Sequence, residues 1–142
     1  FFCFPATTDP GDDYMNDPIV KEKGCAILKE GQYRGSHKIR LHAGKYPALG
    51  QKKPVTVYRD NNNDNKYDRN EAKVDEGLFG INIHRATSRE GKTSTYVDKW
   101  SAGCQVISSN DDWKKFMAIC ERAKDIHGNS FSYTLLSSND IV

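Results

Sequence analysis

A thiol becomes a strong nucleophile only as a thiolate, and a neighbouring imidazole is the usual means of producing one near neutral pH. His84 and Cys104 offer that pairing, twenty residues apart. His84 closes the stretch Leu78-Phe79-Gly80-Ile81-Asn82-Ile83-His84, whose alternation predicts a strand with Ile81 and Ile83 on one face and Asn82 and His84 on the other. Cys104 ends the turn Ser101-Ala102-Gly103-Cys104, just ahead of a helix. Gly103 permits close backbone approach there, and the N–H groups around Cys104 are placed to stabilise an oxyanion. The chemistry open to this set is acyl transfer through a thioester. A buried cysteine packed beside a strand histidine is the structural alternative.

A second cluster runs from Asp60 to Glu71. Against the twelve-position EF-hand loop, side-chain oxygens fall at positions 1, 3, 5, 9 and 12 as Asp60, Asn62, Asp64, Asp68 and Glu71, with the Lys66 carbonyl at position 7. Asn65 stands where that loop carries Gly, and Asn is the next-best residue for the left-handed turn. The expectation is a structural Ca2+ site on a single loop, since a strand pattern rather than a helix precedes it. An Asx-rich surface turn without an ion is the alternative.

The elements that must position these residues follow from patterning. Residues 1–23, with Thr7-Thr8-Asp9-Pro10-Gly11, carry turn chemistry and predict an irregular leader. Short β-type runs at Cys25 to Leu28, Lys38 to His42 and Val55 to Tyr58, cut by Gly31, Gly35, Gly44, Pro47 and Gly50, predict an antiparallel meander. Ser109, followed by Asp111 and Asp112, is an N-cap with first-turn acids, and Trp113, Phe116, Met117 and Cys120 form one apolar stripe. That helix should stop near His127-Gly128, before a last strand through Phe131, Tyr133 and Leu135. The sum is a single β-rich α+β domain over residues 1–142.

Composition narrows the function classes. Twenty-one Lys and Arg against 19 Asp and Glu leave a net charge of +2, too little for nucleic-acid binding to be the main business of the surface. No run approaches the ~20 apolar residues of a membrane helix. The chain begins at Phe1, so an upstream segment and any export signal are expected to lie outside it. Cys3, Cys25, Cys104 and Cys120 contain no C-x-x-C pair and match no zinc framework. Cys120 belongs to the apolar stripe, whereas Cys3 and Cys25 either bridge or stay free. His42 is read as structural before cleft-lining, and His37 and His127 as ordinary surface or helix-end residues.

A strand-borne His followed by Ser/Thr-x-Gly-Cys and a helix resembles the L,D-transpeptidase catalytic domain of the YkuD type. The order His then Cys sets it apart from papain-like peptidases, and the Gln-Ala-Cys of caspases and the Thr-x-Thr-Cys-like strand of sortases are absent. The resemblance directly covers about residues 78 to 123 and implies a mixed β-sandwich. It implies Cys104 as acyl-accepting nucleophile, His84 as base, Ser101 and Gly103 as parts of the catalytic turn, and the Gly103 and Cys104 amides as oxyanion donors. Its implied substrate is the peptide stem of peptidoglycan, met by Arg85, Gln105 and Trp100, and its implied location is extracytoplasmic. Ala102 and Val106 stand where the family commonly has His and Arg. Arg85 is then the cation left to bind a carboxylate, as in a divergent branch of phage-lysin-like or secreted wall hydrolases.

The competing expectation is a calcium-stabilised, non-catalytic extracellular module binding wall or glycan ligands through Tyr33, Tyr46, Tyr58, Tyr67 and Trp100. A metalloenzyme built on His37, His42 and His84 matches no zinc spacing. Oligomeric state is left open.

Overall fold

The computed structural model describes residues 1–11, 24–60, 66–69, 71, 73–96 and 101–141, the side chain of Asp60 excepted. Its strands are β1 (Ala6–Thr7), β2 (Cys25–Leu28), β3 (Gly31–His42), β4 (Tyr46–Gln51), β5 (Val55–Asp60), β6 (Val74–Gly77), β7 (Ile83–Arg85), β8 (Gln105–Ile107) and β9 (Phe131–Leu135). Among the described residues one α-helix, α1 (Asn110–His127), and a short 3-10 turn (Ser138–Ile141) accompany them. Six strands form a mixed sheet in the order β1-β8-β7-β4-β3-β9, and three form a second sheet, β2-β5-β6. Among the described strands only β7 and β8 run parallel. The molecule is thus β-rich α+β, and no described helix is long and apolar enough to cross a membrane.

The expected meander is instead split between the sheets. β2 pairs with β5, Cys25 opposite Asp60, while β3 and β4 form a hairpin in the larger sheet. β4 is disguised by Pro47 and Gly50, which read as breakers. Gly50 is small because β3 needs the space: a Cβ there would lie 1.9 Å from Arg40 Nε. Within the leader, Ala6 and Thr7 pair with Ile107 and Val106, so that part is strand, and residues 12–23 fall outside the described set.

Residues Leu78 to Asn82 do not continue the strand that His84 belongs to. The backbone groups of Phe79 and Ile81 are satisfied by side chains instead of a ladder. Gln51 Oε1 accepts from the amides of Phe79 (3.1 Å) and Ile81 (2.9 Å), its Nε2 donates to the Gly77 and Lys53 carbonyls, and His37 Nε2 donates to the Ile81 carbonyl at 2.8 Å. His37 is therefore a core residue, 1% exposed, and not the surface residue expected.

α1 forms where its cap and stripe predict. Ser109 Oγ accepts from the Asp112 amide, and Gly128 (φ 88°) ends the helix by donating to the Lys124 carbonyl. Trp113 and Met117 pack on Ala48 and Ile107, and Cys120 on Leu49 and Ile83, which fixes the helix over β4, β7 and β8. The smaller sheet contributes Ala26, Leu28, Val55 and Val57 to a cluster joined by Ile81 and flanked by Tyr33, Tyr133 and Leu135 of β3 and β9. Cys3 is an exposed free thiol and Cys25 is buried in β2.

Candidate active site

Parallel pairing of β7 and β8 sets Ile83 opposite Gln105 and His84 opposite Val106, and the Gln105 amide donates to the Asn82 carbonyl at 2.9 Å. Paired residues share a face, so that register carries Asn82, His84 and Cys104 toward one side of the sheet and Ile83 and Gln105 toward the helix side. The expected nucleophile and base thus sit on adjacent chain segments, a diagonal step apart.

Cys104 is half-buried, and its thiol donates to the Gly80 carbonyl (3.3 Å) and accepts from the Asn82 amide (3.5 Å). It makes no hydrogen bond with His84. Burial pushes the thiol pKa up, with the Asn82 amide opposing. The resting sulfur is therefore a thiol held by the backbone of residues 80–82.

His84 is 4% exposed. Its Nδ1 lies 3.0 Å from the Arg85 carbonyl; a carbonyl only accepts, so Nδ1 carries the proton and Nε2 is left with the lone pair. Burial holds its pKa below the usual histidine value; the Arg85 carbonyl opposes this and the neighbouring His42 adds to it. His42, at the end of β3, stacks on the His84 ring, and its own Nδ1 lies 3.5 Å from Asn82 Nδ2. A buried, neutral imidazole with a free Nε2 has the protonation state of a general base.

The turn before Cys104 is built by its own side chains. Ser101 Oγ donates to the Cys104 carbonyl (2.8 Å) and accepts from the Gly103 amide (3.1 Å). Ser101 is 2% exposed, so it shapes the turn from inside. Gly103 has φ +124°, and a Cβ on it would lie 2.3 Å from the Ala26 carbonyl oxygen, so only glycine fits against β2. Its amide is already used by Ser101. The Cys104 amide has no acceptor among the described residues, which leaves it as the available oxyanion donor.

The remaining expected site residues separate. Gln105 is 3% exposed, accepts from the Tyr133 hydroxyl (2.9 Å) and donates to the Thr8 and Gly103 carbonyls (3.4 Å each), away from the thiol face. Arg85 lies 4.0 Å over the Tyr46 ring and lines a cleft of ≈800 Å³ with His42 and His84. Trp100 falls outside the described residues. The same cleft takes Lys45, Arg89 and Lys92, which sequence reasoning missed. Their signal was the lysine of the Gly44-Lys45-Tyr46 turn and the cations spaced along the segment after His84.

Of the loop expected to hold Ca2+, Asp60 ends β5 as backbone, Asn62 and Asp64 lie outside the described residues, and Lys66, Asp68 and Glu71 are described. The Lys66 carbonyl accepts from the Asp68 amide at 3.1 Å. The Glu71 carboxylate contacts Lys29 Nζ and accepts from the Tyr58 hydroxyl at 3.0 Å. Among the described residues no three His, Cys, Asp or Glu side chains gather as a metal site. Glu71 would have to leave Lys29 to close on an ion.

No protein-family model, curated protein or solved structure matches the chain.

Proposed function

We propose that the chain is an extracytoplasmic cysteine enzyme acting on the peptide stems of peptidoglycan, of the L,D-transpeptidase kind. The observation that carries it is the neutral His84 on the same sheet face as Cys104, its Nε2 and the Cys104 amide both without a hydrogen-bond partner among the described residues. In the reaction the thiol turns away from the Gly80 carbonyl and gives its proton to His84 Nε2. The thiolate attacks the carbonyl carbon of the scissile amide, a C–S bond forms, and the oxyanion is met by the Cys104 amide. His84 returns the proton to the leaving amine as the C–N bond breaks. Water activated by His84 then ends a hydrolysis, and an amine from another stem ends a transpeptidation. Arg85, stacked on Tyr46, is the cation that receives a stem carboxylate.

Calcium belongs to the proposal as a structural ion of the Asp60 to Glu71 loop. The competing class, a non-catalytic binding module, is favoured by one observation, the resting thiol bonded to backbone rather than to His84.

Mass spectrometry of muropeptides from purified sacculi, incubated with the protein or with Cys104→Ala, tests the proposal. New products that vanish in the variant are expected, and their masses separate trimmed stems from new cross-links. Sacculi left unchanged by both proteins, across several wall chemistries and with Ca2+ present, would overturn it.

A further inference from the structure

We infer that the cleft beside His84 binds a phosphorylated ligand carrying a pyrophosphate or two neighbouring phosphates. Four cations enter it from three segments: Lys45 from the β3–β4 turn, Arg85 from the end of β7, and Arg89 and Lys92 from the loop that follows. Among the described residues no carboxylate lines it. Lys45, Arg85, Arg89 and Lys92 have no ion-pair partner among the described residues. That is notable in a chain whose net charge is only +2.

Two described acids beside this loop are turned elsewhere. Glu90, between the two loop cations, pairs with Lys114 of α1 at 2.5 Å, and Asp111 Oδ1 accepts from the Gly91 amide at 3.5 Å. The loop itself is fixed by its backbone. Ala86 donates to the Ile107 carbonyl (3.0 Å), Ser94 to Ser108 (3.0 Å), and the first amide of α1, Asn110, to the Lys92 carbonyl (3.2 Å). Arg85 is held over the Tyr46 ring. The backbone that carries the cations is thus ordered before any ligand arrives, which spares the ligand the cost of ordering the loop.

Charge count selects the ligand class. A single carboxylate neutralises one of four cations and leaves the others repelling in a shared cleft, whereas a pyrophosphate matches nearly all of them. The hydroxyls of Ser88 and Thr93 also line the cleft and make no hydrogen bond with described residues, so they can donate to non-bridging oxygens. Its ≈800 Å³ exceeds what a pyrophosphate fills and leaves room for the organic part of a phosphate ester. This site shares Arg85 with the acyl-transfer proposal, but its test does not depend on that reading, because binding is measured on a protein without the nucleophile.

The test is calorimetric titration of the Cys104→Ala protein, in metal-free buffer at fixed ionic strength, with inorganic pyrophosphate, glutarate and acetate. Pyrophosphate should bind at one site, about tenfold or more tighter than glutarate, and Arg89→Gln with Lys92→Gln should weaken it by about tenfold or more. Equal affinity for pyrophosphate and glutarate would overturn the phosphate assignment, and an affinity untouched by the double variant would overturn the site. Should the double variant fail to fold, amide shift mapping of the parent protein decides. Pyrophosphate should then move Lys45 and residues 85–94, and shifts confined elsewhere sink the proposal.

Discussion

The imidazoles of His42 and His84 stack with ring centroids 4.5 Å apart and planes 23° from parallel. They reach each other from β3 and β7 across β4, where Ala48 and Gly50 share a small recess with His42 and Asn82. Small residues on the middle strand let the outer side chains meet. Burial lowers the pKa of both rings, with Arg40 adding to the effect on His42, and burial does the same to His37 in the core. A depressed folded-state histidine pKa means that the unfolded chain binds protons first, so stability is intact above about pH 6.5 and falls as pH drops toward the folded-state values. The melting temperature should therefore decline by several degrees between pH 7.5 and 5, before carboxylates begin to titrate. A flat profile across that window would contradict the burial of these three rings.

The thiol of Cys104 predicts its own resting reactivity. Because burial raises its pKa and its S–H donates to the Gly80 carbonyl, alkylation by iodoacetamide should be slow at pH 7, with an inflection above the ~8.5 of an ordinary cysteine. The exposed Cys3 must first be changed to Ser so that it does not mask the signal. His84→Ala should leave this inflection in place, because no hydrogen bond joins the two residues at rest, yet lower wall-peptide turnover by about 10²- to 10⁴-fold. A thiolate already present at pH 6 would mean a preformed ion pair, in conflict with the observed bonding.

Much of this arrangement was legible in the chain. The helix could be read because its cap, stripe and terminating glycine all act locally, within one turn of the residues concerned. β2, β5 and β9 were likewise visible as apolar or alternating runs. The strand expected over Leu78 to His84 shrinks to Ile83–Arg85, because the partners of Phe79 and Ile81 are the side chains of Gln51 and His37, roughly thirty and forty residues earlier. Nothing near Phe79 in sequence announces them. The cleft was hidden for the same reason: Lys45 and Arg85 are brought together by the order of β3, β4 and β7, which local patterning does not determine. Gly103 was legible because its φ of +124° and its approach to Ala26 demand glycine, whereas His84 and Cys104 were singled out by residue type, order and spacing.

Gly103 should be nearly irreplaceable. Its φ of +124° excludes ordinary L-residues, and a methyl group would stand 2.3 Å from backbone of β2 rather than from a side chain that can turn aside. Gly103→Ala should cost about 2–4 kcal/mol in chemical denaturation and displace the Cys104 turn. A loss below about 1 kcal/mol would mean that the turn relaxes freely and that its close approach to Ala26 is not a constraint on the site.

Calcium binding should be set by a competition at Glu71. The carboxylate that the EF-hand pattern assigns to the last ligand position is engaged by the Lys29 ammonium and the Tyr58 hydroxyl. These contacts hold its pKa below the usual carboxylate value, Lys29 first and Tyr58 second. An ion entering the loop must displace that ammonium, which predicts affinity at the weak end, about 10⁻⁴–10⁻³ M as in extracellular modules. Lys29→Met removes the competitor and should tighten Ca2+ severalfold by isothermal titration, while Glu71→Gln should abolish binding and the accompanying rise in melting temperature. If Lys29→Met left the affinity unchanged, Glu71 would not be a ligand. If neither parent nor variant bound Ca2+ at millimolar concentration, the Asp60 to Glu71 loop would be a surface turn tied to β2 and β5 by Lys29 and Tyr58.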